Sequence, residues 1–377
     1  MYFVIKEVVE IPFLKKLKIP KFDIGFGRKK YGYVGIDIGA SSVKVVLLRE
    51  ENGRALLESY GELKTANYFK KTSEEVVAGA GFLRYLESDI AIMLKDVMRE
   101  SNITVKDAIF SVSTSAAFIM LIDFPRLPPE EINSAVPYEV KKYIPTPLTE
   151  ISLDWKVIDE EEEKNLKILF VAVPKEIINK YKRIGDLVGL EVLAVEVENF
   201  SFNRALSGRE KTPVAIIHMG AQITNITITD GGIIRFSHNI ERGSQEITRM
   251  LSHSLNIDLN RADGFKLNIG LSDRPEEKEI VDVIAPIVDS LFREILRIIN
   301  SYNRSAVKKV EKIILSGGGA NLPGLVDYVT KLSGLETVRA NPFSKVVYPA
   351  FMQPILRDIG PDFSVAVGLA LREIVSR

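Results

Sequence analysis

The sequence contains no cysteine, only three histidines and a single tryptophan among its 377 residues. The absence of cysteine excludes disulfides, thiolate metal sites and cysteine nucleophiles. His218, His238 and His253 show no recognisable metal-ligand spacing. A net charge is also absent, because 50 basic and 50 acidic residues cancel. The composition therefore gives no electrostatic reason to expect nucleic acid as a partner.

Long apolar runs are missing as well. No stretch approaches the roughly 18 uninterrupted apolar residues that a membrane-spanning helix needs. The N-terminus carries charges throughout and lacks the apolar segment and cleavage site of a secretion signal. We therefore expect any membrane association to be peripheral or through a partner. A hydrophobic content of 46% and a charged content of 27% are typical of a globular protein, and the length predicts two or three domains.

The most informative stretch is Val34–Leu48, VGIDIGASSVKVVLL, which predicts two β-strands joined by a glycine turn. The polar and glycine positions of this first loop are Asp37, Gly39, Ser41, Ser42 and Lys44. Backbone N–H groups and hydroxyls in such a turn suit phosphate oxygens. Asp37 would hold a divalent cation through water, and Lys44 would reach the phosphates. An ordinary hairpin with a polar turn is the alternative, because such short motifs also match by chance.

Two later stretches favour the phosphate interpretation. Val214–Thr229 repeats the design as a second loop, with Gly220, Gln222 and Thr224 between two strands. The sequence KIILSGGGANLPGL at Lys312–Leu325 predicts a strand, a turn of three glycines, and a helix that begins near Ala320 or Asn321. These glycines are Gly317, Gly318 and Gly319. Three such elements in this order resemble the ATP-binding superfamily of actin, Hsp70 and the sugar kinases. The resemblance implies an α/β fold with two lobes.

A further stretch narrows the resemblance. LPPEEINSAVPYEVKKYIPTPLTEISLDW, together with the strands beside it, predicts a strand–helix–strand unit within the first lobe. This phrase resembles the PilM family, the branch of the actin-like superfamily that shares with FtsA an inserted subdomain in the first lobe. Residues 169–206, 340–346 and 364–373 match the same family, and the resemblance runs from about residue 32 to the C-terminus. FtsA is disfavoured, because we expect no counterpart of its membrane-targeting helix after Arg377.

The expected organisation has three parts. Residues 1–30 form an N-terminal extension, residues 31–210 the first lobe with an insert at about 115–166, and residues 211–377 the second lobe. We expect residues 169–173 to return the chain to the first lobe. The extension is rich in basic residues, namely Lys15, Lys16, Lys18, Lys21, Arg28, Lys29 and Lys30. It is interpreted either as an edge strand or tail, or as an amphipathic arm on a membrane or partner.

The resemblance implies a site for ATP or ADP with Mg²⁺, in which Asp37 holds the metal through water. The first and second loops would bind the phosphates, and Gly317, Gly318 and Gly319 would lie under the nucleoside. Asp263 and Lys266 would stand at its rim, although the family usually has glutamate in place of Asp263.

One departure from the family is chemically serious. His218 occupies the position where the second loop of the family begins with aspartate. Histidine is neutral or cationic near neutral pH and is a poor ligand for Mg²⁺, which prefers oxygen. Phosphoryl transfer depends on metal neutralisation of charge, so hydrolysis should suffer more than binding. Glu196 and Glu198 are only weak candidates for a catalytic base. We therefore expect a nucleotide-binding scaffold with little or no turnover; an active ATPase and an FtsA-like filament-forming or membrane-associated protein are the alternatives.

The resemblance also implies a biological role. Members of the family act in the cytoplasm, at the inner face of the cytoplasmic membrane, within the type IV pilus assembly platform. They bind the N-terminal cytoplasmic segment of the membrane protein PilN in a groove beside the insert, a mode suited to apolar anchors. Phe118, Met120, Ile144 and Pro145 are candidates for this groove. Other platform components and self-association are further expectations.

Overall fold

The computed structural model describes residues 32–65, 85–159, 165–208, 210 and 212–375. The N-terminal extension at residues 1–30, with both interpretations of its basic residues, lies outside this part of the chain. Among the residues that the structure describes, no helix is long and apolar enough to cross a membrane.

The first lobe is built on a five-stranded sheet. Its strands are β1 Gly32–Ile38, β2 Ser42–Glu51, β3 Arg54–Lys64, β4 Asp107–Val112 and β8 Glu191–Val197. Their spatial order is β3-β2-β1-β4-β8. The first three strands are antiparallel because short turns join them, whereas β4 and β8 run parallel to β1. Helices α1 Glu87–Glu100 and α3 Lys175–Val188 pack together, and both contribute apolar side chains to the core of this lobe.

The second lobe repeats this plan. Its strands are β9 Val214–Met219, β10 Thr224–Asp230, β11 Ile233–Ile240, β12 Lys312–Ser316 and β13 Glu336–Arg339. They lie in the order β11-β10-β9-β12-β13, which is the order of the first sheet position by position. Four helices accompany this sheet: α5 Ser244–Ser254, α6 Leu259–Asn268, α7 Lys278–Ser305 and α8 Leu325–Ser333. Two sheets of equal topology confirm the predicted two-lobe α/β fold.

Two helices connect the lobes. Helix α4, Glu198–Leu206, follows β8, and helix α9, Gln353–Val375, returns from the second lobe to pack on β1 and α4. Helix α9 approaches α4 and β1 closely because a glycine stands at each contact. A Cβ at Gly368 would lie 1.9 Å from the carbonyl oxygen of Ser201, and a Cβ at Gly35 would lie 2.1 Å from that of Ala366.

The predicted insert is a three-stranded antiparallel sheet with one helix. It comprises β5 Phe118–Pro125, α2 Pro129–Val140, β6 Ile151–Asp159 and β7 Asn165–Pro174, with β7 in the centre. The expected boundary near residue 166 is therefore wrong, since it falls at the start of this central strand. Alternation along β7 explains the error: Leu169, Val171 and Val173 join the core of the first lobe, while the residues between them pack toward α2.

Candidate nucleotide-binding site

The first loop is a tight turn between β1 and β2. The Gly39 N–H donates to the Ser42 carbonyl at 2.9 Å and closes the turn. The two serines have different surroundings. Ser41 is exposed, whereas Ser42 is buried and its hydroxyl accepts a hydrogen bond from the Lys44 ammonium at 2.6 Å. Ser41 is therefore accessible to a ligand, while Ser42 holds Lys44 in place.

The second loop has the same backbone. The Gly220 N–H donates to the Ile223 carbonyl, again at 2.9 Å. The Thr224 hydroxyl is directed at the protein, because it donates to the Arg242 carbonyl at 2.7 Å. Gly243 is the N-cap of helix α5, which begins at Ser244. Glycine is required there since a Cβ would lie 2.6 Å from the backbone of Ala221 and Gln222. The loop is thus held against the start of α5.

The side chains that enter the two loops are equivalent in place but different in chemistry. Asp37 and Lys44 are direct cross-strand partners, and Ser111 from β4 donates to the Asp37 carboxylate at 2.8 Å. In the second lobe His218 stands opposite Asn225, and the Ser316 hydroxyl of β12 lies 3.1 Å from His218 Nδ1. The carboxylate and ammonium of the first lobe are therefore replaced by an imidazole and an amide.

Burial shifts the pKa of both Asp37 and His218. Burial raises the pKa of Asp37, the Lys44 charge opposes that rise, and Glu198 adds to it. Burial lowers the pKa of His218 to about 4, although Asp37 acts in the opposite direction. The imidazole also stacks on Phe202, with ring centroids 5.1 Å apart. His218 is therefore neutral at pH 7, which decides between the two charge states that the sequence left open.

Lys44 has two acidic neighbours that sequence reasoning missed. Glu62 on β3 lies 3.4 Å from the ammonium. Asp362 on α9 is close enough for its charge to act on Lys44, and together these carboxylates raise the pKa of Lys44 despite its burial. Burial in turn raises the pKa of Asp362. Neither has a local signature in the sequence, because Glu62 is one of two acidic residues on β3 and Asp362 lies in a helical segment that also carries Arg357 and Asp358.

The glycine turn lies beside the second loop. A Cβ at Gly317 would lie 2.5 Å from the Met219 carbonyl oxygen, and one at Gly319 would lie 2.7 Å from Met219 Cβ. At Gly318 it would meet Asp362 Oδ1 at 2.7 Å. Protein packing by itself therefore requires glycine at Gly317 and Gly319, whereas Gly318 meets only the side chain of Asp362. Contact of the three with a nucleoside stays a prediction.

The helix expected directly after this turn starts later. Residues Gly318–Asn321 form a short 3₁₀ turn, and α8 begins only at Leu325. The intervening Pro323 cannot donate a backbone hydrogen bond, and Gly324 has a φ of 75°. These two residues separate the glycine turn from the helix.

The predicted rim residues pair with each other on α6. Lys266 Nζ donates to Asp263 Oδ1 at 2.6 Å, and the Thr248 hydroxyl contacts both side chains. Burial raises the pKa of Asp263, but the hydrogen bond and charge of Lys266 outweigh it and hold that pKa below its ordinary value. The charge of Lys64, on the first lobe, contributes to the same lowering. Asp263 is therefore near enough to the first lobe for a charge on that lobe to act on it.

The two weak candidates for a catalytic base have different surroundings. Glu196 is buried and forms ion pairs with Arg204 at 2.6 Å and Arg372 at 3.2 Å, which join β8, α4 and α9. Glu198 accepts hydrogen bonds from the N–H and hydroxyl of Thr114, and its charge acts on Asp37. Glu196 thus stabilises the fold, and Glu198 is the one of the two that neighbours the first loop.

The donor set fits the phosphate end of a nucleotide. Two glycine turns, an exposed serine and a buried ammonium lie close to Asp37, and anion cradles are made from such groups. Across residues 32–65, 85–159, 165–208, 210 and 212–375, no three His, Asp or Glu side chains cluster as ligands for a metal. A bound Mg²⁺ would therefore rely on Asp37, water and phosphate oxygens, which matches its usual coordination.

Comparisons with known proteins address the family and the fold of the chain. A family model described as type IV pilus assembly protein PilM matches residues 35–374. The solved PilM-PilN type IV pilus biogenesis complex is similar in structure, with a TM-score of 0.76, 23% identity and coverage of 91% of this chain and 98% of that one. MreB 5 of Spiroplasma citri bound to AMPPNP has a TM-score of 0.51, 12% identity and coverage of 89% and 94%.

Sequence comparison also finds a distant relative. The cell division protein FtsA of Enterococcus faecalis is 22% identical over 377 residues, which cover 86% of this chain and 84% of that protein. At these identities the structural likenesses show the actin-like fold alone. The family model adds the family, because it spans most of the sequence. The chain therefore belongs to the family of the type IV pilus assembly protein PilM.

Proposed function

We propose that this protein is a nucleotide-binding scaffold of the type IV pilus assembly platform, with little or no hydrolysis. The observation that carries the proposal is the pairing of Asp37 in one loop with a neutral His218 at the equivalent position of the other. One carboxylate and one ammonium support binding of a phosphate chain. The missing second carboxylate removes a group that would help to organise the metal and the attacking water.

Each residue has a role in this proposal. The backbone of the first and second loops and the Ser41 hydroxyl would bind the phosphates of ATP or ADP, and Lys44 would contribute its charge. Asp37 would hold Mg²⁺ through water, and the metal would neutralise phosphate charge when bound. The Asp263–Lys266 pair would lie at the rim of the nucleoside. Glu198, whose charge acts on Asp37, is a nearby acid that could orient water, but it is already held by Thr114.

Restoring the missing carboxylate tests this proposal. We expect phosphate release by the wild type to stay near background, and His218→Asp to raise Mg²⁺-dependent release by at least about tenfold. His238→Asp is the matched control, since His238 is exposed on β11 of the same sheet. A wild-type rate in the ordinary enzyme range of about 1–10³ s⁻¹, abolished by Asp37→Asn, would contradict the proposal and favour the active ATPase.

We also propose that a PilN-like membrane protein is the partner and that it holds this protein at the cytoplasmic face of the inner membrane. Support comes from the similar structure, which is a complex of PilM with PilN. The insert offers a suitable surface. Phe118 and Met120 are 39% and 43% exposed on β5, an edge strand of the three-stranded sheet. They share a sheet face with Ile122 and Phe124, which are buried against α2.

This apolar face therefore continues beyond the helix that covers it, and an extended peptide with apolar anchors fits such a surface. Of the other two groove candidates, Pro145 is exposed, but Ile144 is only 5% exposed and belongs to the core beneath α2. Ile144 is therefore removed from the expected groove.

A peptide titration tests the partner. The probe is a synthetic peptide with the N-terminal cytoplasmic sequence of the cognate PilN-like protein. We expect the double variant Phe118→Ser, Met120→Ser to weaken its binding at least about tenfold, because two apolar anchors are lost. Leu187→Ser is the control, since Leu187 is 48% exposed on α3. Equal affinity of all three proteins would place the peptide elsewhere. Sedimentation of the protein without the peptide is a separate experiment. Filaments or other assemblies in that experiment would support self-association and the FtsA-like alternative.

A further inference from the structure

The Lys44 ammonium lies among more negative charge than it can balance. It is 8% exposed, hydrogen-bonded to Ser42 and 3.4 Å from Glu62. The charges of Asp362 and Asp37 also act on it. One carboxylate therefore pairs with this ammonium and two more act on it through their charge, at the place where phosphates would bind.

Arg339 offsets part of this excess, because its charge acts on Asp362, but the groups of the two loops add no further positive charge. His218 is neutral, and Glu198 adds a further carboxylate beside Asp37. Ser41, Gly39 and the second loop offer hydrogen bonds but no positive charge. A phosphate chain without a metal would bring several like charges into a partly buried site, where charge repulsion is stronger than in bulk water.

We propose that Glu62 and Asp362 make this site selective for a nucleotide complexed with a divalent cation and that they exclude the metal-free polyphosphate anion. This inference rests on the proposed function, because it assumes that the loops bind nucleotide. The cation removes the charge that the carboxylates repel, so the complex enters while the free anion does not. In this way the two carboxylates determine specificity without contacting the reacting atoms.

The carboxylates of Glu62 and Asp362 belong to different elements of the fold. Glu62 projects from β3 of the first lobe, and its side chain is 34% exposed. Asp362 projects from α9 and accepts a hydrogen bond from Asn321 Nδ2 at 2.5 Å. Arg339 in turn donates to Asn321 Oδ1 at 2.7 Å. Asp362 is therefore held beside the glycine turn, while Glu62 is held by its ion pair with Lys44.

The test is a titration of the full chain with ATP in Mg²⁺ and with ATP in EDTA. We expect the wild type to bind the Mg²⁺ complex at least about tenfold more tightly than free ATP. Glu62→Gln and Asp362→Asn should each reduce this ratio by about fivefold or more, chiefly through tighter binding of free ATP. Adenosine, which carries no phosphate, should bind all three proteins equally.

The matched control is Glu58→Gln, because Glu58 lies on the same strand, is more exposed and pairs with Arg49 at 3.8 Å. It should leave the ratio unchanged. An unchanged ratio in Glu62→Gln, or an equal loss of both forms of ATP, would overturn the inference while the proposed function stands. A wild type that binds neither form would overturn both. If Asp362→Asn fails to fold, the result with Glu62→Gln decides.

Discussion

The two loops that open the lobes have one backbone and two different chemistries. Each is closed by a glycine N–H bonded to a carbonyl three residues ahead, at 2.9 Å in both cases. Each strand also has a serine on its parallel neighbour, Ser111 or Ser316. Between these common parts, one lobe carries Asp37 and Lys44 and the other His218 and Asn225. The difference teaches that glycine and strand register maintain the turn, whereas its charge can change independently.

Breaking the packing that distinguishes the lobes should have the largest effect. Gly35 lies two residues before Asp37, and Ile216 occupies the equivalent position two residues before His218. The first-lobe strand needs glycine at this position because α9 lies against it. Gly35→Ala should cost about 3 kcal/mol or more of unfolding free energy, since the added Cβ would overlap the backbone of α9. Urea unfolding measures the loss. Gly264→Ala is the control, because its Cβ would meet nothing within 4 Å. An equal loss of unfolding free energy in both variants would contradict the packing of α9 against Gly35.

A second comparison uses pH, because only the second loop carries a histidine. The folded-state pKa of His218 is about 4, against an ordinary value of 6.5. The unfolded chain therefore binds more protons in this window, and stability is fully present above pH 6.5 and declines as pH falls toward 4. Between pH 7 and pH 5 the loss attributable to His218 should be about 2 kcal/mol.

The measurement is a set of urea unfolding curves at both pH values. His218→Asn removes the titrating group and should reduce the acid-induced loss by this amount. His253→Asn makes the same chemical change at an exposed position on α5 and should reproduce the wild-type loss. A His218→Asn protein that loses as much stability as the wild type would show that the imidazole is not buried as described.

The smallest effect concerns the amide that replaces Lys44. Asn225 belongs to a buried network in which Asn199, on α4, donates to Thr227 at 2.7 Å and to Asn225 at 3.2 Å. Thr227→Val should cost about 1.5 kcal/mol, because the hydroxyl accepts from Asn199 and donates to Asn225 at 2.6 Å, while the two asparagines keep their bond to each other. Thr330→Val, an exposed change on α8, should cost less than about 0.5 kcal/mol. Similar costs for both would mean that the network does not stabilise the lobe contact.

Much of the site could be predicted from sequence, because its loops are local. The alternation of apolar residues and the position of Gly39 and Gly220 predict both turns, and the order of the motifs predicts the two lobes. Other features depend on contacts between distant segments. The Lys44 environment combines β2, β3 and α9, so Glu62 and Asp362 have no local signature beside the loop. The end of the insert was misplaced for a similar reason: β7 serves two cores through its two faces.

The packing around glycine also limits what a sequence can reveal. A run such as Gly317–Gly319 indicates close approach, but it does not say whether the neighbour is a ligand or the chain itself. Here Met219 and Asp362 are the neighbours. The delayed start of α8 follows from Pro323 and Gly324, whose effect was visible in the sequence but was outweighed by the expectation of a helix after a glycine turn.

The central claim is that this site binds nucleotide without appreciable turnover. Isothermal titration of the wild type with ATP and ADP, with and without Mg²⁺, and phosphate release measured on the same samples test it most directly. We predict binding that requires Mg²⁺ and phosphate release that stays at background. Steady phosphate release at an ordinary enzymatic rate, or the absence of binding by either nucleotide, would contradict the account.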